Sequence, residues 1–352
     1  MVSPMSSHLS SLNERQRQAV LHGDGPLLVL AGAGSGKTST MTHRIAHLMA
    51  SRGVPAQNIL GLSFTNKAAR ELKERVQKIA SKELGPRATH GLIISTFHSL
   101  CVRILRVHAE RLGFQPNFSI LDSSDQRDVL KDIFKRVNID DRRFDLDRLA
   151  FEIGQAKNRF LLPEDAEKFF LESGRLPHDY SIAAAAAYTH YEEQLRALNS
   201  MDFDDLIFRA VQLLESQDDV REAYNQRFKY ILVDEYQDTN PAQFRLISLL
   251  TQKTQNLCVV GDDDQSIYGW RGADSAHILE FKDHFSEAKV ILLDQNYRSK
   301  MTILEAANNV IKNNAKRHPS LSGPSVETEI RFQKSSWRTI APRPSWLPMR
   351  SG

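Results

Sequence analysis

Glycines recur at Gly32, Gly34 and Gly36, spaced by Ala33 and Ser35, and Lys37 and Thr38 follow at once. Glycines let a backbone curl until successive N–H groups converge on phosphate oxygens. A helix starting there adds the positive end of its dipole. Lys37 would reach the β- and γ-phosphates of a nucleoside triphosphate, and the Thr38 hydroxyl would ligate Mg²⁺. The strict pattern begins with glycine; Ala31 stands there, and the remaining glycines keep the bend. Far downstream, Asp234 and Glu235 close an apolar run. Asp234 suits Mg²⁺, and Glu235 suits the proton of a water attacking the terminal phosphate.

These groups need elements to hold them. Short apolar, β-branched runs at 27–30, 59–64, 92–95, 230–233, 257–260 and 290–293 read as strands. Helical patterns at 38–50, 66–80, 97–111 and 241–251 alternate with them. That alternation predicts an α/β fold with a parallel sheet covered on both faces. Such sheets bind ligands at the carboxyl ends of their strands, where the residues above fall. Residues 107–198 are charged, helix-rich and poor in β-branched runs, and we read them as a helical insertion. The long separation of Lys37 from Asp234 supports this.

Composition narrows the classes. The chain has 352 residues, 41% hydrophobic and 25% charged, which suits two or three globular domains and excludes a disordered, collagen-like or coiled-coil chain. No apolar run approaches the ~18–20 residues that cross a bilayer. Residues 1–11 lack a basic stretch leading into an apolar one, so no secretion signal is expected. Cys101 and Cys258 sit far apart in apolar stretches and read as buried thiols of a reducing compartment. Five basic side chains and no acidic one lie from Arg331 to Gly352, more than the whole net charge of +3, so the rest of the chain is slightly acidic. Bulk charge therefore argues neither for nor against a nucleic-acid partner. Residues 319–352 also hold five of the thirteen prolines with little periodicity, and read as an irregular tail, either a disordered end or a non-native one.

Eight ordered blocks resemble the UvrD/Rep-type superfamily 1 DNA helicases. They are Leu12-Asn-Glu-Arg-Gln-Arg-Gln18, Ala31 to Thr38, Leu62-Ser-Phe-Thr-Asn-Lys-Ala-Ala69, Ser95-Thr-Phe-His98, Met201-Asp-Phe-Asp-Asp-Leu206, Val233-Asp-Glu-Tyr-Gln-Asp238, Gly261-Asp-Asp-Asp-Gln-Ser-Ile-Tyr-Gly-Trp-Arg-Gly272 and Gln295-Asn-Tyr-Arg-Ser299. The resemblance implies a RecA-like P-loop NTPase lobe from 1–107 plus 196–291 and a helical insertion at 108–195. It implies the start of a second, truncated lobe at 292–318.

For the site, the resemblance implies ATP and Mg²⁺. Gln18 would read the adenine edge, Tyr297 would stack on the base, and Arg298 would reach the γ-phosphate. Ser39 departs from the family, which usually has arginine flanking the base there. Single-stranded DNA would run past Phe64, Thr65, Asn66, Thr96, His98, Tyr268, Trp270 and Arg271, with Phe64 and Trp270 stacking on bases. Gln265 would sense the γ-phosphate and relay hydrolysis to the stacking residues. The implied activity is ATP-driven 3′-to-5′ movement on single strands and at single-strand/duplex junctions. It would take place in the cytoplasm, beside repair or replication proteins. With one lobe truncated, weak ATP turnover and no processive unwinding are expected. Two alternatives stay open: a non-enzymatic fragment that binds nucleotide and single strands, and the helicase part of a helicase–nuclease. An unrelated nucleotide switch or transport ATPase would have no use for the aromatic segment 268–271.

Overall fold

The computed structural model describes residues 9–137, 143–172, 174, 176–311 and 313–314. The strands are β1 (Leu27–Ala31), β2 (Ile59–Ser63), β3 (Ile93–Thr96), β4 (Ser119–Ile120), β5 (Ser200–Met201), β6 (Tyr230–Val233), β7 (Leu257–Gly261) and β8 (Lys289–Leu293). Six of them form one sheet in the order β3-β2-β6-β7-β1-β8, every neighbouring pair parallel. All residues of β1, β2, β6 and β7 are buried, as strands covered on both faces must be. The apolar runs at 27–30 and 257–260 are thus strands of the sheet interior, as their patterning predicts.

Alternate residues feed two cores. Leu27, Val29 and Ala31 face one cluster with α1 (Glu14–Leu21), α2 (Lys37–Ala50) and α3 (Asn66–Leu84). Leu28 and Leu30 face the other, built with α4 (Phe97–His108), α9 (Phe203–Ser216), α10 (Asp218–Arg227), α11 (Pro241–Thr251), α12 (Ala276–Leu279) and α13 (Phe281–His284). Cys101 and Cys258 are free and buried in these cores.

A third core packs α5 (Ser123–Arg136), α6 (Leu146–Lys157), α7 (Pro163–Glu172) and α8 (His178–Ala197) around Phe134, Phe170 and Tyr188. Phe114 and Phe118 still belong to the sheet's core. The chain thus leaves that core later than the boundary expected at 107. The short β4–β5 pair, which no sequence pattern announces, ties the two chain crossings together. After β8 comes α14 (Met301–Ile311), in which no residue is buried. The expected tail at 319–352 lies outside the described residues, as do 315–318. Among the described residues no helix is long and apolar enough to cross a membrane.

Candidate nucleotide cleft and nucleic-acid groove

β1 ends at Ala31, and the loop to α2 turns on Gly34 and Gly36, both with positive φ. Gly36 is the N-cap of α2 in the left-handed region. A Cβ on Gly36 would lie 2.4 Å from Gln16 Nε2, and one on Gly34 2.6 Å from Arg298 Cβ. Both positions therefore need glycine for backbone angle and for space. Ala33, Gly34, Gly36, Lys37, Thr38, Ser39, Tyr297 and Arg298 line one cleft of about 470 Å³ with Glu235 and Gln265. Ala31, Gly32 and Ser35 line the adjoining groove beneath α14. The Ser35 hydroxyl donates to the Gly32 carbonyl at 2.7 Å, bracing the turn.

Lys37 Nζ sits 3.3 Å from Glu235 Oε2. Glu235 itself holds φ 50°, ψ 45°, a left-handed conformation uncommon outside glycine. Asp234 is buried behind it; burial, and next the charge of Glu235, push its carboxyl up to about 6. The same two causes raise Asp238 to about 6. Oxygen donors suit Mg²⁺, and Thr38 with Asp234 supplies a hydroxyl and a carboxylate whose buried charge a cation would offset.

One expected residue is displaced. Gln18 points outward and donates to Glu14 Oε1 at 3.2 Å. The glutamine at the loop is Gln16, whose Nε2 donates to the Ser35 carbonyl at 3.0 Å. Asn13 and Gln16 cap the helix reciprocally, and this fixes Gln16 toward the loop. Two residues further, at about 100° per residue, Gln18 faces away. Three other side chains take no role in the sequence reading: Asn13 and Asn296 lie within the ordered blocks, and Arg75 lies outside them all. Arg75 of α3 enters the cleft beside Ser39. Asn13 Nδ2 donates to the Tyr297 hydroxyl at 2.7 Å. Asn296 donates to the Ala33 carbonyl. With the Tyr297 N–H donating to the Gly34 carbonyl at 2.9 Å, the Asn296 bond clamps 295–298 onto the phosphate loop, and the Asn13 bond ties them to the start of α1.

A second hollow, about 620 Å³, opens at the ends of β2 and β3. Phe64, Thr65, Asn66, Thr96, His98 and Tyr268 line it. Thr65 and Thr96 cap α3 and α4, accepting from the N–H groups of Ala68 and Ser99 at 3.1 and 3.2 Å. Their hydroxyls therefore hold the strand ends in place as well as facing the hollow. Phe64 also packs edge-on against Phe97 at 5.7 Å, so it serves the core too. Phe203, 55% exposed, stacks on His98 with ring centroids 3.9 Å apart. Burial lowers the His98 imidazole to about 4, so it is neutral at pH 7.

Phe151 and Gln155 of α6, with Asn158 capping its C-terminal end, form the facing wall. Trp270 is 65% exposed on the turn Gly269–Arg271, outside the lining. Arg271 shares that turn, and its side chain lies outside the described residues.

The walls are joined by a buried charge network. Lys157 Nζ contacts Glu192 at 3.0 Å, Asp202 at 2.7 Å and Asp205 at 2.9 Å. Arg209 pairs with Glu192, and with Asp205 at 3.3 Å. Burial alone would lower the Lys157 ammonium, but Asp202 and then Asp205 hold it above its ordinary value. Beside it, Asn158 donates to Asp204 and accepts from Asn240, both at 2.9 Å.

A parallel α/β sheet with a glycine-rich phosphate loop on its first strand and two adjacent acids ending a strand one removed from it defines a P-loop nucleotide-binding protein. Residues 12–286 match the model of the UvrD/REP helicase N-terminal domain, and the chain belongs to that family. It is 49% identical over 315 residues to an ATP-dependent DNA helicase PcrA of Staphylococcus aureus strain Mu50, covering 90% of this chain and 42% of that protein. The PcrA helicase of Staphylococcus epidermidis strain ATCC 12228 is 48% identical over the same shares. The chain thus spans less than half the length of these relatives.

Proposed function

We propose that the chain binds ATP with Mg²⁺ in the first cleft and single-stranded DNA in the second, and that it couples hydrolysis to 3′-to-5′ movement along the strand. The observation that carries this reading is the single segment that serves both: Gln265 lines the cleft and Tyr268, three residues on, lines the groove. In this reading Lys37 holds the β- and γ-phosphates, Glu235 takes the proton of the attacking water, and Arg298 stabilises charge on the transferring group. Thr38 and Asp234 would hold Mg²⁺, which supplies charge neutralisation between phosphates. Gln16 stands in the place expected for Gln18. Arg75 is the cation available to the base side of the cleft that Ser39 leaves open. Bases stack along the Phe64, His98–Phe203 and Tyr268 wall, Trp270 extends it, and Arg271 is assigned to the strand's backbone.

We assign the chain through Phe118, with 196–291, to the motor lobe, 119–195 to the insertion and 292–318 to the opening of a second lobe. The setting is cytoplasmic, at single strands and junctions that repair or replication proteins also use. Weak turnover without processive unwinding is expected, since arginine contacts to the γ-phosphate are worth about 10³–10⁵ in rate and Arg298 stands just before α14, a helix that buries none of its residues and so holds it loosely. Steady-state ATP hydrolysis with and without single-stranded DNA, with Glu235→Gln as control, tests it. DNA-stimulated turnover absent from the control supports the reading. Nucleotide binding without turnover supports a non-enzymatic binding fragment.

A further inference from the structure

We infer that Gln237 is a positioning residue that ties the Glu235 carboxylate to the segment between the two sites, so that neither moves without the other. This rests on the coupled reading proposed above. Gln237 is 2% exposed. Its Nε2 donates to Glu235 Oε2 at 3.0 Å. Its Oε1 accepts from the Asp262 N–H at 3.0 Å. Its carbonyl accepts from the Ser266 hydroxyl at 3.2 Å. One amide group thus grips the carboxylate at one end and the start of the 262–274 segment at the other.

The segment is held again further along. Asp262 accepts from the Asp264 N–H at 3.2 Å and from the Gln265 side chain. At the far end the Asp274 N–H donates to the Thr239 carbonyl at 3.0 Å, on the same turn that carries Gln237. A Cβ on Gly261 would stand 2.8 Å from Gln237 Oε1 and 2.7 Å from Ile278 Cδ1, so the bare glycine leaves the amide its place.

A buried glutamine serving structure alone would spend both ends on backbone groups. Here one end is spent on an acidic side chain that the reaction uses, in a site where an unmade hydrogen bond is costly. A shift of Asp262 as the segment responds to DNA therefore draws on the amide and re-aims Glu235. In the other direction, a nucleotide that pulls Glu235 shifts the platform.

The test is the linkage between the two ligands, which is reciprocal by thermodynamic necessity. Affinity of the full chain for a fluorescent oligo-dT is measured with and without a non-hydrolysable ATP analogue and Mg²⁺. In the wild type the analogue is expected to change that affinity about fivefold or more. Gln237→Glu is close in size and keeps the acceptor for Asp262, but sets a carboxylate against Glu235. It is expected to bring the ratio to within about twofold of unity, each ligand alone still binding within about threefold of wild type. Ser266→Ala, a milder change that threatens folding less, is expected to shrink the ratio in the same direction. Linkage unchanged in both variants overturns the inference. A wild type that binds both ligands without linkage overturns it too, and leaves the two binding sites standing. A wild type that binds neither overturns the functional reading itself.

Discussion

The nucleotide cleft takes its walls from backbone and from residues near the phosphate loop in space: glycines at forced angles, a capped helix, a lysine resting on a glutamate. The groove beside it takes its walls from side chains that two separate cores present to each other. One wall stands on strand ends of the sheet, the other on α6, and a buried cluster of charges holds them in register. A cleft of the first kind tolerates little change at the loop that frames it. A groove of the second kind tolerates change at each wall and depends on the joint between them.

Substitutions can break this contrast. The largest effect is expected at Glu235→Gln, where ATP turnover falls by about 10²–10⁴ with nucleotide affinity kept, as steady-state and equilibrium binding assays would read. Single-strand affinity equal to wild type would confirm that the damage stays in the cleft.

Next comes Lys157→Met, which leaves Asp202, Asp205 and Glu192 short of a buried cation and should cost about 3–5 kcal/mol in urea unfolding. If the contrast holds, single-strand affinity in the folded variant suffers before nucleotide affinity does. Equal losses at both sites would abolish the distinction.

Phe203→Ala removes the ring stacked on His98. About 1–3 kcal/mol of single-strand affinity should go with it while nucleotide binding holds within about twofold, read by fluorescence titration. An unaffected oligo-dT affinity would move the track elsewhere.

The smallest effect concerns pH. His98 is lowered by burial from an ordinary 6.5 to about 4, so the unfolded chain takes up a proton that the folded chain refuses. Its contribution is fully present above about pH 6.5, shrinks as pH falls, and is lost by about pH 4. At pH 5 the loss should be about 1 kcal/mol after allowing for partial exposure, and His98→Gln should show a flatter dependence between pH 7 and 5. Parallel curves for the two proteins would count against the assignment.

The contrast also explains what could be read from the chain. Strands at 27–30 and 230–233 and the loop of Gly34, Gly36 and Lys37 are local patterns whose chemistry depends on neighbours in sequence. They stand where the pattern puts them. Gln18 is the instructive miss. Two glutamines lie two apart on a polar helix, and only the Asn13–Gln16 capping spacing says which one turns inward. Arg75 lies on an exposed, charged face of α3, where one arginine looks like any other. Phe151 and Gln155, with Asn158 at its C-terminal cap, belong to an amphipathic helix of ordinary pattern. Nothing in that pattern says which sheet edge the helix will face, because the joint at Lys157 closes over long separations in sequence.

The strand order has a bearing on how the chain is made. Leu27 of β1 pairs with Cys258 of β7 on one side and Lys289 of β8 on the other, both supplied from more than 200 residues further along the chain. At roughly 5–20 residues per second of synthesis, the phosphate-loop strand waits tens of seconds with neither neighbour yet made. During that interval an apolar strand with open edges is at large on the ribosome, a substrate for holding chaperones and for mispairing with nascent copies. Slowing translation between α8 and β6 should therefore lower the soluble yield more than slowing it after β8.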